Sequence, residues 1–229
     1  GFRLGRGEPK EASAEIQAEL DNIRLAWQWA ATPGRFEELE EATYSWWQFC
    51  TFQGLETEAR LSFAQAISGV RQQLATSGVD PATRLLAQRL LAKLLAIHAN
   101  YLFAQGRDGE MAAQAQEAVN LGVTSGGVEG ETLGTFVLGR ARQEFDQPHE
   151  AGELWRQTIR LARRYLVNYS ENEFLHDAHW MAYSWLRGNA IRFNDYAGAR
   201  TSIMQSLQIC LTLGKRRGEL SGWSGLAHL

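Results

Sequence analysis

The sequence predicts an all-α protein built as an array of helix pairs. Three observations carry this. Apolar residues recur at helical spacing along nearly the whole chain. There are 4 Pro in 229 residues, and no stretch alternates like a strand or carries an Asn-Gly hairpin signal. A turn residue, followed five positions later by a packing residue, recurs four times. Hydrophobic residues make up 45% and charged residues 21%, so the chain can bury a sizeable core.

Residues 1–8 read as a Gly/Arg-rich linker remnant, without the apolar stretch of a signal peptide. A junction helix is expected from Pro9 to Ala31, with Ile16, Leu20, Ile23, Trp27 and Ala30 inward and Thr32-Pro33-Gly34-Arg35 ending it. The second and third helices are expected at 36–52 and 56–75, with Trp46, Trp47 and Cys50, then Ala59, Phe63 and Ala66, inward. Asp80-Pro81 reads as an N-cap with proline in the first turn. It opens a fourth helix, 81–105, apolar nearly all round and therefore packed on both sides. Further helices are expected at 110–121, 128–145, 149–167, 171–193 and 196–213. Gly122 and Ser125-Gly126-Gly127 end the first of these. After Gly214-Lys215-Arg216-Arg217-Gly218 comes a last helix running to Leu229; both chain ends suggest a piece of a longer protein.

The repeats align as Gly54, Ala59, Phe63, Ala66; Gly106, Met111, Ala115, Ala118; Asp146, Ala151, Trp155, Thr158; and Asn194, Ala199, Ile203, Ser206. Before each turn stand Trp46-Trp47, His98-Ala99, Leu138-Gly139 and Leu186-Arg187. A small residue late in one helix and another early in the next let two backbones approach. This pattern resembles the tetratricopeptide signature. Trp47, Met111 and Arg187 depart from it at positions that usually hold small residues. The packing residues are 52, 40 and 48 apart, against about 34 in the common repeat. The resemblance implies a right-handed superhelix of antiparallel helix pairs: residues 36–229 form a tetratricopeptide-like α-solenoid of about four long, irregular repeats and a truncated fifth. The departures leave an unrelated helical bundle as the alternative.

Glu19-Leu20-Asp21-Asn22-Ile23-Arg24 followed by Ala26-Trp27-Gln28-Trp29-Ala30 resembles the junction in bacterial signal-transduction ATPases of the STAND class, including ATPase-bearing transcriptional regulators. The 214–219 stretch is similar to the inter-repeat linker of their arrays. By resemblance, such a region senses a ligand or partner and releases an upstream nucleotide-binding block. This sequence holds no G-x-x-x-x-G-K-[ST] loop of its own.

In such a stack the first helix of each pair lines the concave face. The register places Tyr44, Gln48 and Phe52 there, then Lys93, Asn100 and Phe103, then Phe136, Arg140 and Gln143, then Met181, Ser184 and Arg192. Arg187 joins them, because it stands where packing asks for a small residue; a pairing with Glu144 is its structural alternative. Rings supply contact area and polar tips supply direction, so a peptide, protein or small molecule is the expected occupant.

Other chemistry finds little support. Net charge is −3 and pI about 6.0, so direct nucleic-acid binding is not expected; Arg156, Arg160, Arg163 and Arg164 read as a solvated face. His176 and His179 beside Asp177 could pair on a metal but lack an evident third ligand, so no metal or cofactor is expected. Glu37, Glu38, Glu40 and Glu41 read as an exposed acidic run at a helix N-terminus. Cys50 and Cys210 read as reduced and buried. No apolar run approaches membrane-span length, and a cytoplasmic location is expected. The reading is a non-catalytic sensor region. A constitutive scaffold is the alternative, and an enzyme the least supported. The 223–229 end is expected to leave apolar surface open to self-association.

Overall fold

The computed structural model describes residues 9–229, with side chains from residue 14 onward. The linker expected at 1–8 lies outside the described residues. Among those described, every regular element is a helix: α1 (Pro9–Ala18), α2 (Leu20–Ala30), α3 (Phe36–Gln53), α4 (Glu56–Ala75), α5 (Pro81–Leu102), α6 (Asp108–Ser125), α7 (Val128–Glu144), α8 (Pro148–Leu166), α9 (Glu173–Arg192), α10 (Tyr196–Leu213) and α11 (Arg216–Ala227). A short 3₁₀ turn, Phe103–Gln105, follows α5. Helices adjacent in sequence pack as pairs, an arrangement consistent with an α-solenoid.

The turns explain the pairing. Gly54, Gly106, Asp146 and Asn194 all adopt left-handed backbone, with φ of 67°, 63°, 57° and 58°. Glycine does this without steric cost, and Asp and Asn tolerate it because their short polar side chains bond locally. All four expected turn residues therefore reverse the chain in one conformation. Downstream of each, the packing residues are buried. Phe63, Met111 and Trp155 have no exposed surface, and Ile203 is 1% exposed. In the third pair a Cβ on Gly139 would lie 2.4 Å from Trp155 Nε1, so the absence of a side chain seats the indole. That Nε1 donates to the Phe136 carbonyl at 3.2 Å.

α5 is the central helix: every residue from Leu90 to Ala99 is buried. Its start is fixed as expected, with Asp80 Oδ1 accepting the Ala82 and Thr83 N–H groups at 3.0 Å. Several boundaries differ from expectation by a few residues, and three of them have a clear local cause. The junction helix breaks at Glu19, whose N–H bonds the Ile16 carbonyl at 3.2 Å while its carboxylate accepts from Asn22. Gly122 does not end α6. It is an interior contact where a Cβ would meet the Glu131 backbone at 2.5 Å, and the left-handed stop is Gly126. α9 starts later than expected because Asn172 Oδ1 caps it through the Leu175 N–H.

The ends of the array meet. Trp47 of α3 stacks on Phe174 of α9, centroids 5.4 Å apart and planes within 4°. Tyr44 meets the same ring edge-on at 4.9 Å. Trp47 thus packs across to α9 as well as beside Tyr44 on its own helix, so a large ring at that position has partners to fill. No described helix is long and apolar enough to cross a membrane.

Candidate functional site: a half-open chamber inside the groove

Because α3 and α9 touch, the concave face closes into a chamber of about 330 Å³. Its wall includes Gln48 and Phe52 from α3, Asn100 from α5, Phe136 and Arg140 from α7, and Met181 and Ser184 from α9. These seven expected groove residues converge on one space. The structure adds Trp47, Thr51, Asp177, Trp180 and Trp185, with Lys215, Arg217, Gly218 and Ser221 from the α10–α11 turn and α11.

Arg140 is 9% exposed. Its guanidinium lies 4.0 Å from the Phe103 ring centre and 4.8 Å from that of Trp185, so both rings supply cation–π attraction. Nη1 donates to Asn100 Oδ1, and Nε has no hydrogen-bond partner. Burial pushes its pKa down to about 10. Phe103 therefore serves the site from beneath Arg140.

The far wall is an ionic latch. Lys215 is 4% exposed and donates to Glu173 Oε2 at 2.5 Å, Asp177 Oδ1 at 2.8 Å and the Tyr44 hydroxyl at 3.0 Å. Tyr44 donates to Asp177 Oδ2 at 2.8 Å, as does Gln48 Nε2. Trp180 Nε1 donates to Asp177 Oδ1 at 2.9 Å. Burial, then Asp177 and Glu173, hold the Tyr44 hydroxyl far above its usual pKa, so it remains a donor. Tyr44, expected as a free recognition residue, is instead a closing element.

Several other expectations are corrected. Lys93 is not on the groove wall: it is buried against Glu40 and Glu129, with Phe174 4.9 Å away. Burial opposes charge on Glu129, but Lys93 and Asn172 hold its pKa below the usual carboxylate value. Glu40 consequently leaves the exposed acidic run. Phe136 is 1% exposed and doubles as core. Gln143 does not line the chamber. Arg187 turns into the α9–α11 interface, donating to the Ser221 carbonyl at 3.1 Å, and Gly225 leaves room for it. Arg192 pairs with Asp146 at the surface. His176 bonds the Ser170 carbonyl at 2.7 Å while His179 packs on Tyr183, so the two do not converge with Asp177. Burial pushes both thiols up to about 12, which disfavours the thiolate form.

The functional residue least visible in the sequence is Lys215. In Gly-Lys-Arg-Arg-Gly it looks like its solvated neighbours, and only tertiary closure buries it. Trp180 and Trp185 were findable, since they flank Met181 and Ser184 on the same helical stripe.

No protein-family model matches the chain, and no curated protein matches it. Among solved structures it is similar to BtubC (BKLC) from P. vanneervenii, with 14% identity, a TM-score of 0.56, and 94% of this chain and 83% of that chain covered. At that identity the likeness speaks to the fold alone.

Proposed function

We propose that this chain is a non-catalytic, ligand-sensing array of right-handed tetratricopeptide type, whose occupant enters the chamber around Arg140. Four equivalent left-handed turns and the buried packing residues after them support the repeat type. The observation that carries the binding role is the chamber itself: a buried guanidinium among aromatic walls. Ligand sites combine an apolar lining with a few placed polar groups in this way. At about 330 Å³ it lies at the small end of such sites, which favours a small molecule or a chain end over a folded partner.

The junction-like sequence at 19–30 motivates the wider reading: occupancy is relayed to an upstream nucleotide-binding block of a STAND-type parent. The latch offers a route, because Asp177 and Gln48 both line the chamber and hold α3 to α9. The test uses Ser184→Trp, which fills the chamber from a half-buried wall position and spares the core. Small molecules that raise the melting temperature of the natural protein are expected to have no effect on the variant. Equal shifts in both proteins place binding elsewhere.

A further inference from the structure

We propose that the chamber takes a small organic oxyanion, its carboxylate or phosphate head on Arg140 and a flat apolar body against Trp180, Trp185 and Met181. The inference rests on the chamber being the binding site and adds the chemistry of what it binds.

It starts from a comparison of three buried cations. Lys93 has Glu40 and Glu129. Lys215 has Glu173 and Asp177. Arg140, comparably buried, has no carboxylate within ion-pair distance among the described residues; Glu144 and Glu56 act on it only from farther away. Its polar contacts are the Asn100 side-chain and backbone oxygens. Burying an uncompensated charge is costly, and proteins normally pair it. Two ring faces offset part of that cost but leave the in-plane Nε–H without a partner.

The rest of the wall has the same sign. Asp177, the chamber's carboxylate, is saturated by Lys215, Tyr44, Gln48 and Trp180. Arg217 stands exposed at the rim with no ion pair among the described residues. The unmet demand is therefore for negative charge, in a geometry where a planar guanidinium grips an oxyanion. The lining beyond Arg140 is indole and thioether, which suits a ring or a short hydrocarbon body.

The test is calorimetric titration of the full chain with 3-phenylpropanoate, phenyl phosphate and the neutral 3-phenylpropanamide. The anions are expected to bind in the millimolar range, typical of so few atoms, and the amide at least about tenfold more weakly. Which head binds tighter separates the two sources of oxyanion. Asn100→Asp places a carboxylate beside Arg140 and is expected to abolish the preference while leaving the fold intact. Arg140→Met is expected to bring the anions down to the amide's affinity, and Arg140→Lys to restore part of the difference. Equal binding of amide and anions, blocked by Ser184→Trp, overturns the anion proposal and leaves the binding site standing. Anion affinity unchanged in Asn100→Asp also overturns it. No binding by any probe at millimolar concentration overturns both.

Discussion

Replacing Lys215 with Met keeps the aliphatic stem and removes the charge that closes the array. The lysine nitrogen sits 2.5 Å from Glu173 and 2.8 Å from Asp177, and the Lys215 and Asp177 side chains are 4% and 6% exposed. The variant leaves two carboxylates facing each other with no cation between them. Removing one partner of a buried pair costs about 3–5 kcal/mol. The donors from Tyr44, Gln48 and Trp180 persist, so a loss near ~3 kcal/mol is expected, set against a typical total of about 5–15 kcal/mol. Urea unfolding reads this as a lower midpoint. Hydrogen exchange should localise the opening to α3, α9 and α11 rather than α5 and α6. The double variant Lys215→Met/Asp177→Asn should recover part of the loss, because it removes one of the two stranded charges. A loss under about 1 kcal/mol, the size expected of a surface pair, would mean the latch is solvated and the chamber is not closed this way.

Three further outcomes follow from other parts of the molecule. Gly139→Ala presses a methyl to within 2.4 Å of Trp155 Nε1 in a site with no free space; about 1–3 kcal/mol of stability should be lost, with a changed near-ultraviolet signal, and neutral behaviour would refute the packing. Burial, then Arg163 and His176, depress the His179 pKa from 6.5 to about 4, so the native state favours neutral histidine. Its contribution is fully present above pH 6.5 and declines as acid protonates the unfolded chain first. The natural protein should therefore lose about 2 kcal/mol more than His179→Leu between pH 7 and pH 5, and parallel profiles would contradict this. Leu220 and Trp223 on α11 are 72% and 55% exposed, so sedimentation should show association that Trp223→Glu abolishes; a monomer at every concentration would count against it.

Local signals were legible because local physics fixes them. Gly54, Gly106, Asp146 and Asn194 could be placed from sequence since a left-handed turn tolerates few residues. Ala59, Phe63, Trp155 and their counterparts followed from helical spacing. Seven groove residues then converged because they share one face of stacked helices. What failed was anything decided by long-range closure. Nothing near Lys215 distinguishes it from Arg216, yet 171 positions separate it from its Tyr44 partner. Tyr44, Lys93 and Arg187 stand at groove positions by helical register, but each is drawn into contacts with helices distant in sequence. Gly122 is ambiguous in sequence, because a glycine that admits a neighbouring backbone looks the same as one that ends a helix.

The eight tryptophans make the central claim directly measurable. Trp47, Trp180 and Trp185 line the chamber, whereas Trp29 and Trp223 are exposed outside it. In a ¹⁵N-labelled sample with assigned indole resonances, titration with phenyl phosphate should move the three chamber signals together on one binding curve and leave Trp29 and Trp223 in place. Movement confined to Trp29 or Trp223, with the chamber signals unmoved, would contradict binding in the groove.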